Sequence, residues 1–99
     1  MLKITNDMEE IFEQDNAVVA FTASWCGPCK QLKPQFAKAA VVDDATPYYV
    51  VDIDQIDQSY LNQYNIMSIP QVFVMNKGNI KKNIKSRTSE ALVKEKNEE

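Results

Sequence analysis

Cys26 and Cys29 are the only cysteines in this 99-residue chain, and they sit in the stretch Ser24-Trp25-Cys26-Gly27-Pro28-Cys29-Lys30. A strand-like run precedes this stretch and a helix-like run follows it. A helical first turn then brings both sulfurs to one side, close enough to bridge without dismantling the fold. Such a pair suits a disulfide that opens and closes. At the helix entry, unpaired backbone N–H groups and the positive end of the helix dipole favour a Cys26 thiolate, the attacking species in thiol chemistry. Cys29, one turn further in, is expected to be more buried and to act second. Pro28 suits a first helical turn, where its missing N–H is not needed, and it restricts the spacing of the sulfurs. Half of a zinc site has the same spacing. A structural zinc takes four ligands, however, and this chain offers two cysteines and no histidine. Two purely structural cysteines would gain nothing in packing from the glycine and proline between them.

The elements that must hold this pair can be read on both sides of it. Ala17 to Ala23 is a nearly continuous apolar run, as expected of a central strand covered on both faces, and it leads straight to the cysteines. The following helix is expected from about Cys26 to Val41, with Leu32, Phe36 and Ala40 on its buried side and a kink at Pro34. Upstream, Leu2-Lys3-Ile4 reads as a short strand. Asn6 is placed to cap a helix from about Asp7 to Gln14, with Glu9 as capping-box partner. Met8, Ile11 and Phe12 form the apolar face of that helix. Downstream, Tyr48 to Ile53 is rich in strand formers. Gln55 to Tyr64 reads as a short helix with Ile56, Tyr60 and Tyr64 on one side, closed by a left-handed Asn65. Gln71 to Met75 is a strand, Asn76 to Asn79 a hairpin turn, and Ile80 to Lys85 the antiparallel partner. A last helix follows Ser86-Arg87-Thr88-Ser89 and buries Ala91, Leu92 and Val93. Its tail, Lys94 to Glu99, is expected to fray.

Trp25-Cys26-Gly27-Pro28-Cys29-Lys30 resembles the active site of the thioredoxin family, down to the flanking tryptophan and lysine. The resemblance covers almost the whole chain, including Pro34 at the family's offset from the second cysteine and the segment Ile66-Met67-Ser68-Ile69-Pro70. It implies an α/β thioredoxin fold in a single domain over residues 1–99: a central mixed sheet of four to five strands flanked by about four helices. The family pattern also suggests that the chain begins late and lacks the fold's first helix. In the family, Pro70 would be a cis proline facing the cysteines, and the Ile69 backbone would pair with an extended substrate segment. An X–Pro bond is the only kind for which cis is readily accessible. The implied reaction is reduction of protein disulfides. Cys26 attacks, Cys29 resolves the mixed disulfide, and the enzyme leaves oxidised. Trp25, Gly27, Pro28, Met67, Ile69 and Pro70 would form an apolar surface around Cys26. Re-reduction would fall to an NADPH-dependent flavoprotein thioredoxin reductase. No cofactor and no metal is implied for the chain itself.

The chain departs from the family at four positions. Ala20 stands where the strand usually carries a buried aspartate, and Val50 where its lysine partner is usual. Loss of both together leaves no uncompensated buried charge, so the fold should tolerate it, while resolution by Cys29 is expected to be slower at neutral pH. Ser86 falls near a glycine that lets substrate backbone approach, which implies a narrower groove. Thr22 replaces a tryptophan, leaving Trp25 as the only indole and its fluorescence as a direct reporter on the disulfide.

Composition limits the alternatives. Apolar residues make up 44% and charged residues 25%, an ordinary balance for a globular protein. A chain of this size buries roughly two-thirds of its unfolded surface. No apolar run approaches the ~20 residues that span a bilayer, and the first residues lack the apolar core of a signal peptide. A cytoplasmic location is therefore expected, where a two-cysteine motif is catalytic more often than structural. The net charge of −3 argues against general nucleic-acid binding. Residues 1–75 hold four basic and ten acidic side chains, whereas residues 76–99 hold seven and four. Lys77, Lys81, Lys82 and Lys85 cluster around one strand, either protecting a sheet edge or offering a docking surface to an acidic partner. A monomer is expected. Two other functions stay open: a partner-specific oxidant or isomerase with altered redox poise, and a binding subunit whose cysteines are incidental.

Overall fold

The computed structural model describes residues 2–98, so the expectations for Met1 and Glu99 lie outside it. Five strands form one sheet: β1 Leu2–Ile4, β2 Ala17–Thr22, β3 Tyr48–Asp52, β4 Gln71–Asn76 and β5 Asn79–Ile84. Their spatial order is β1-β3-β2-β4-β5. The first three strands run parallel and the last two antiparallel to their neighbours, so β2 lies at the centre with a ladder on each side. Among the described residues four helices accompany the sheet: α1 Met8–Phe12, α2 Gly27–Val42, α3 Gln58–Gln63 and α4 Ser89–Asn97.

Alternation along the central strands sorts the core into two layers. Val18 and Ala20 of β2, Tyr48 and Val50 of β3, and Val72 and Val74 of β4 pack against Leu32, Phe36, Ala39 and Ala40 of α2 and Leu92 of α4. On the opposite face, Val19, Phe21, Tyr49, Val51, Phe73 and Met75 meet Met8 and Ile11 of α1 together with Tyr64. Strand β2 is therefore buried along its whole length, which is why it reads as unbroken apolar sequence rather than an alternating one.

Several element ends differ from the sequence reading, each for a local reason. Helix α1 is shorter than expected and is capped by Asp7, not Asn6; the Asp7 carboxylate accepts from the Glu9 and Glu10 N–H groups at 3.1 and 3.3 Å. Between β3 and α3 the chain makes a single 3-10 turn, Ile53–Gln55, and Asp57 caps α3 through the Ser59 N–H. That second cap restarts the helix later than apolar spacing suggested. Helix α2 runs unbroken through Pro34, which lies on its exposed side. Asn65 takes the left-handed conformation at φ 54°. The β4–β5 turn places Lys77 and Gly78 at φ 51° and 84°, and a Cβ on Gly78 would come within 3.1 Å of the Phe12 ring.

The tail does not fray where expected. Lys96 of α4 pairs with Asp43 at the end of α2 (2.8 Å) and also donates to Thr46 Oγ1. The Tyr48 hydroxyl donates to the same Asp43 carboxylate at 2.8 Å. Lys82 of β5 donates to the Glu95 and Glu98 carbonyls. These bonds hold α4 down through Glu98. Burial alone would push the Asp43 carboxyl up, but the bonds from Lys96, Tyr48 and Thr46 outweigh it and hold the carboxyl below its ordinary value. A depressed folded-state pKa stabilises the fold above the unfolded value, and the contribution is lost as pH falls through the folded one. Asp43→Asn should therefore lower urea-unfolding stability by about 1–3 kcal/mol at neutral pH, with the gap to the parent closing below about pH 4. An equal gap at pH 7 and pH 3 would show that the carboxylate charge is not what holds this corner.

Candidate active site

Strand β2 ends at Thr22 and the chain turns through Ala23 to Trp25 before entering α2. The turn is held locally: the Cys26 N–H donates to the Ala23 carbonyl at 3.2 Å. Thr22, where the family pattern has an indole, is fully buried and donates its hydroxyl to the Val51 carbonyl. Cys26 is the N-cap of α2, and Pro28 lies in the first turn. Cys26 and Cys29 form a disulfide with Cα atoms 5.3 Å apart. The Cys29 N–H donates to Cys26 Sγ at 3.2 Å, so sulfur takes the place that a serine or aspartate oxygen occupies at an ordinary helix start. Both sulfurs are more enclosed than the spacing implied: Cys29 is fully buried, and Cys26 is only 5% exposed.

The surroundings of the pair are divided in character. Ala23, Ile53 and Ile69 pack against the two cysteines from within. Outside them, Trp25 is 66% exposed and Met67 87% exposed. These two, with Ile53, Ile66, Ser68 and Ile69, line an open groove of about 330 Å³. The Ile69–Pro70 peptide bond is cis, and Pro70 leads directly into β4. Gly27 has open space where a Cβ would project, so close packing does not require glycine there. The Trp25 indole is fixed, its Nε1–H donating to Asp54 Oδ2 at 2.8 Å. Asp54 is held in turn by the 3-10 turn after β3, its N–H donating to Asp52 Oδ1. Sequence reading missed this brace because its partners are 29 residues apart and nothing in their spacing connects them.

A larger hollow of about 680 Å³ lies elsewhere, lined by Asn16, Thr46, Lys81, Lys82 and Lys96 among others. It contains neither cysteine, and volume alone does not locate this chemistry. Among the described residues, no cluster of three or more histidine, cysteine or acidic side chains is placed to hold a metal ion. Ala20 and Val50 lie opposite each other in the β2–β3 register and are both buried. Apolar packing against α2 thus fills the place of the missing ionisable pair. Ser86 directs both its N–H and its hydroxyl to Glu95 Oε1, at 2.9 and 2.7 Å. Its side chain is thereby turned toward α4.

Comparison with known proteins agrees with this geometry. A family model described as Thioredoxin matches residues 2–98. A thioredoxin of Mycoplasma genitalium is 37% identical over 82 residues, covering 82% of this chain and 79% of the relative. A thioredoxin of Mycoplasma pneumoniae is 35% identical over 78 residues, covering 78% and 76%. Among solved structures, oxidised thioredoxin from Plasmodium falciparum superposes with a TM-score of 0.79 at 25% identity, covering 97% of this chain and 95% of that one. Human ERp44 in its zinc-bound form gives a TM-score of 0.84 at 24% identity, with 97% of this chain matched to 30% of that one, a likeness of fold alone.

Proposed function

The chain belongs to the thioredoxin family and is a thiol-disulfide oxidoreductase, and from that premise we propose that it works as a reductant of protein disulfides with Cys26 as attacking and Cys29 as resolving sulfur. The observation that carries this assignment is the position of Cys26 at the N-cap of α2, beside an open apolar groove, while Cys29 is fully enclosed. A thiolate at the cap gains from the free N–H groups and dipole of the helix. Trp25, Gly27, Pro28, Met67, Ile69 and Pro70 form the surface on which an extended substrate segment rests. The backbone of half-buried Ile69, just before β4, would offer it strand-like hydrogen bonds.

In the forward half-cycle the Cys26 thiolate attacks one substrate sulfur, and the other substrate sulfur leaves as a thiolate. Cys29, once deprotonated, attacks Cys26 Sγ, which expels the reduced substrate and forms the internal disulfide. Two electrons pass from the protein to the substrate. They are restored from outside, by a flavoprotein reductase drawing on NADPH, the donor that likeness to the thioredoxin family implies. A monomer in the cytoplasm suits a chain whose only two cysteines form the exchanging pair.

Redox equilibration against a glutathione buffer, followed by Trp25 fluorescence, tests the direction of the reaction. A midpoint below the glutathione pool, roughly −220 mV or lower, supports a general reductant. A midpoint well above it assigns the protein to oxidation or isomerisation instead. The Cys26→Ser variant should show no two-electron transition at all.

A further inference from the structure

Arg87 lies in the turn between β5 and α4, three residues after Ile84. Its guanidinium is held against backbone. Nη1 donates to the Ile84 and Ser86 carbonyls, both at 3.0 Å, and Nη2 lies 3.5 Å from the Pro70 carbonyl. Every partner is a neutral oxygen, and among the described residues no carboxylate lies within ion-pair distance of it. Arg87 is nevertheless exposed. The turn carrying it is itself braced, because the Glu95 carboxylate accepts from the Lys85 and Ser86 N–H groups and from the Ser86 hydroxyl. A full positive charge is thus fixed beside Pro70, with its side-chain entropy already surrendered and its charge unmatched. A planar guanidinium with spare N–H donors is suited to a carboxylate. Lys85, also exposed, extends the same sign along the β5 edge. On the other flank of the cysteines, the indole brace sets the Asp54 carboxylate beside Trp25. The charges fixed beside Pro70 and beside Trp25 are thus of opposite sign.

We propose that Arg87 is a specificity-determining residue that receives an acidic side chain of the incoming disulfide-bearing segment, so that substrates with Asp or Glu on the Pro70 side of the attacked cysteine are preferred. The proposal deepens the disulfide-exchange reading and rests on it. Electrostatic complementarity of this kind acts mainly on encounter and register, and therefore on the second-order rate of attack.

The test uses the reduced full chain and three peptide disulfides that differ at one residue near the cystine: glutamate, glutamine or lysine. Stopped-flow Trp25 fluorescence gives the second-order rate of oxidation by each. The expected order is Glu above Gln above Lys, with Glu about three- to fivefold faster than Lys, the range that an exposed ion pair supplies, and the ratio shrinking in high salt. Arg87→Gln should collapse the ratio toward one, and Arg87→Glu should invert it; thermal unfolding of each variant confirms that it is folded. An unchanged Glu-to-Lys ratio in Arg87→Gln, or no preference in the parent, overturns the proposal while leaving the exchange chemistry intact. Failure of all three peptides to oxidise the parent would sink that chemistry and the proposal with it.

Discussion

Cys29→Ser is expected to stop the cycle at its midpoint, with the protein held to its substrate by a disulfide at Cys26. Resolution is an intramolecular attack by a sulfur already in position, its Cα 5.3 Å from that of its target. Well-oriented intramolecular reactions reach effective molarities of about 10⁵ M or more. An external thiol at millimolar concentration cannot replace such a neighbour. Steady-state turnover with a thiol donor should therefore fall by at least about 10³-fold, while the first attack survives. Mass spectrometry after mixing with a protein disulfide should find a stoichiometric covalent adduct that dithiothreitol releases. Turnover near the parent rate without an adduct would mean that Cys29 does not resolve, and the roles given to the two sulfurs would have to be abandoned. The enclosure of Cys29 supports the trapping, because no solvent thiol reaches that side of Cys26.

The second large effect concerns the dry space between the central strands and α2. Ala20 and Val50 face each other across the β2–β3 ladder among Leu32, Phe36 and Val72. Ala20→Asp alone places a carboxyl there without a partner, and the uncompensated charge should cost about 3–5 kcal/mol near neutral pH. Burial raises the folded-state pKa of such an acid above its unfolded value. The charge penalty is then absent below the unfolded pKa and grows as pH rises toward the folded one, so urea unfolding should show a smaller loss at pH 4 than at pH 7. Adding Val50→Lys supplies the opposite charge on the neighbouring strand, and the double variant should recover part of that loss. A single-variant cost under about 1 kcal/mol at pH 7 would show that water reaches the site and that the space is not dry. The same pair governs the pH profile of resolution. Without a carboxylate behind Cys29, mixed-disulfide resolution in the parent should climb across the range where thiols ionise, near pH 8–9. The double variant should gain an additional limb at lower pH. Rapid resolution in the parent with a carboxylate-like midpoint would contradict this account.

The layout of the core was legible because burial on both faces leaves a mark on composition. Ala17 to Thr22 could hardly be anything but a central strand, and Leu32, Phe36 and Ala40 announced the inner side of α2. The cysteine pair was legible for a different reason: Gly27 and Pro28 between two thiols have no purpose in packing. Ends of elements were read less well. Asn6 and Asp7 are both good caps by type, and only the backbone conformation at Asp7 decides between them. Contacts made by polar side chains across the chain left no trace in spacing. The Trp25–Asp54 brace, the Lys96–Asp43–Tyr48 corner and the reach of Arg87 to Pro70 join residues separated by 29, 53 and 17 positions in their longest pairs. None lies on a shared helix face where periodicity would have revealed it. The tail read as frayed because Lys94 to Glu98 is almost wholly polar, yet the bonds from Lys82 and Lys96 fix it.

The sulfur at the start of α2 has one more effect. Because Cys26 Sγ is the cap that receives the Cys29 amide, the same atom stands at this helix end in both redox states, its bond to Cys29 Sγ exchanged on reduction for a thiolate charge. A disulfide sulfur is a weak neutral acceptor, whereas a thiolate makes a charge-assisted bond to the same N–H. Electrons entering the protein therefore strengthen a contact that already exists and create no new one. Little of the structure need reorganise between the two halves of the cycle, and the work of switching is confined to two side chains and the single peptide group that joins them to the helix.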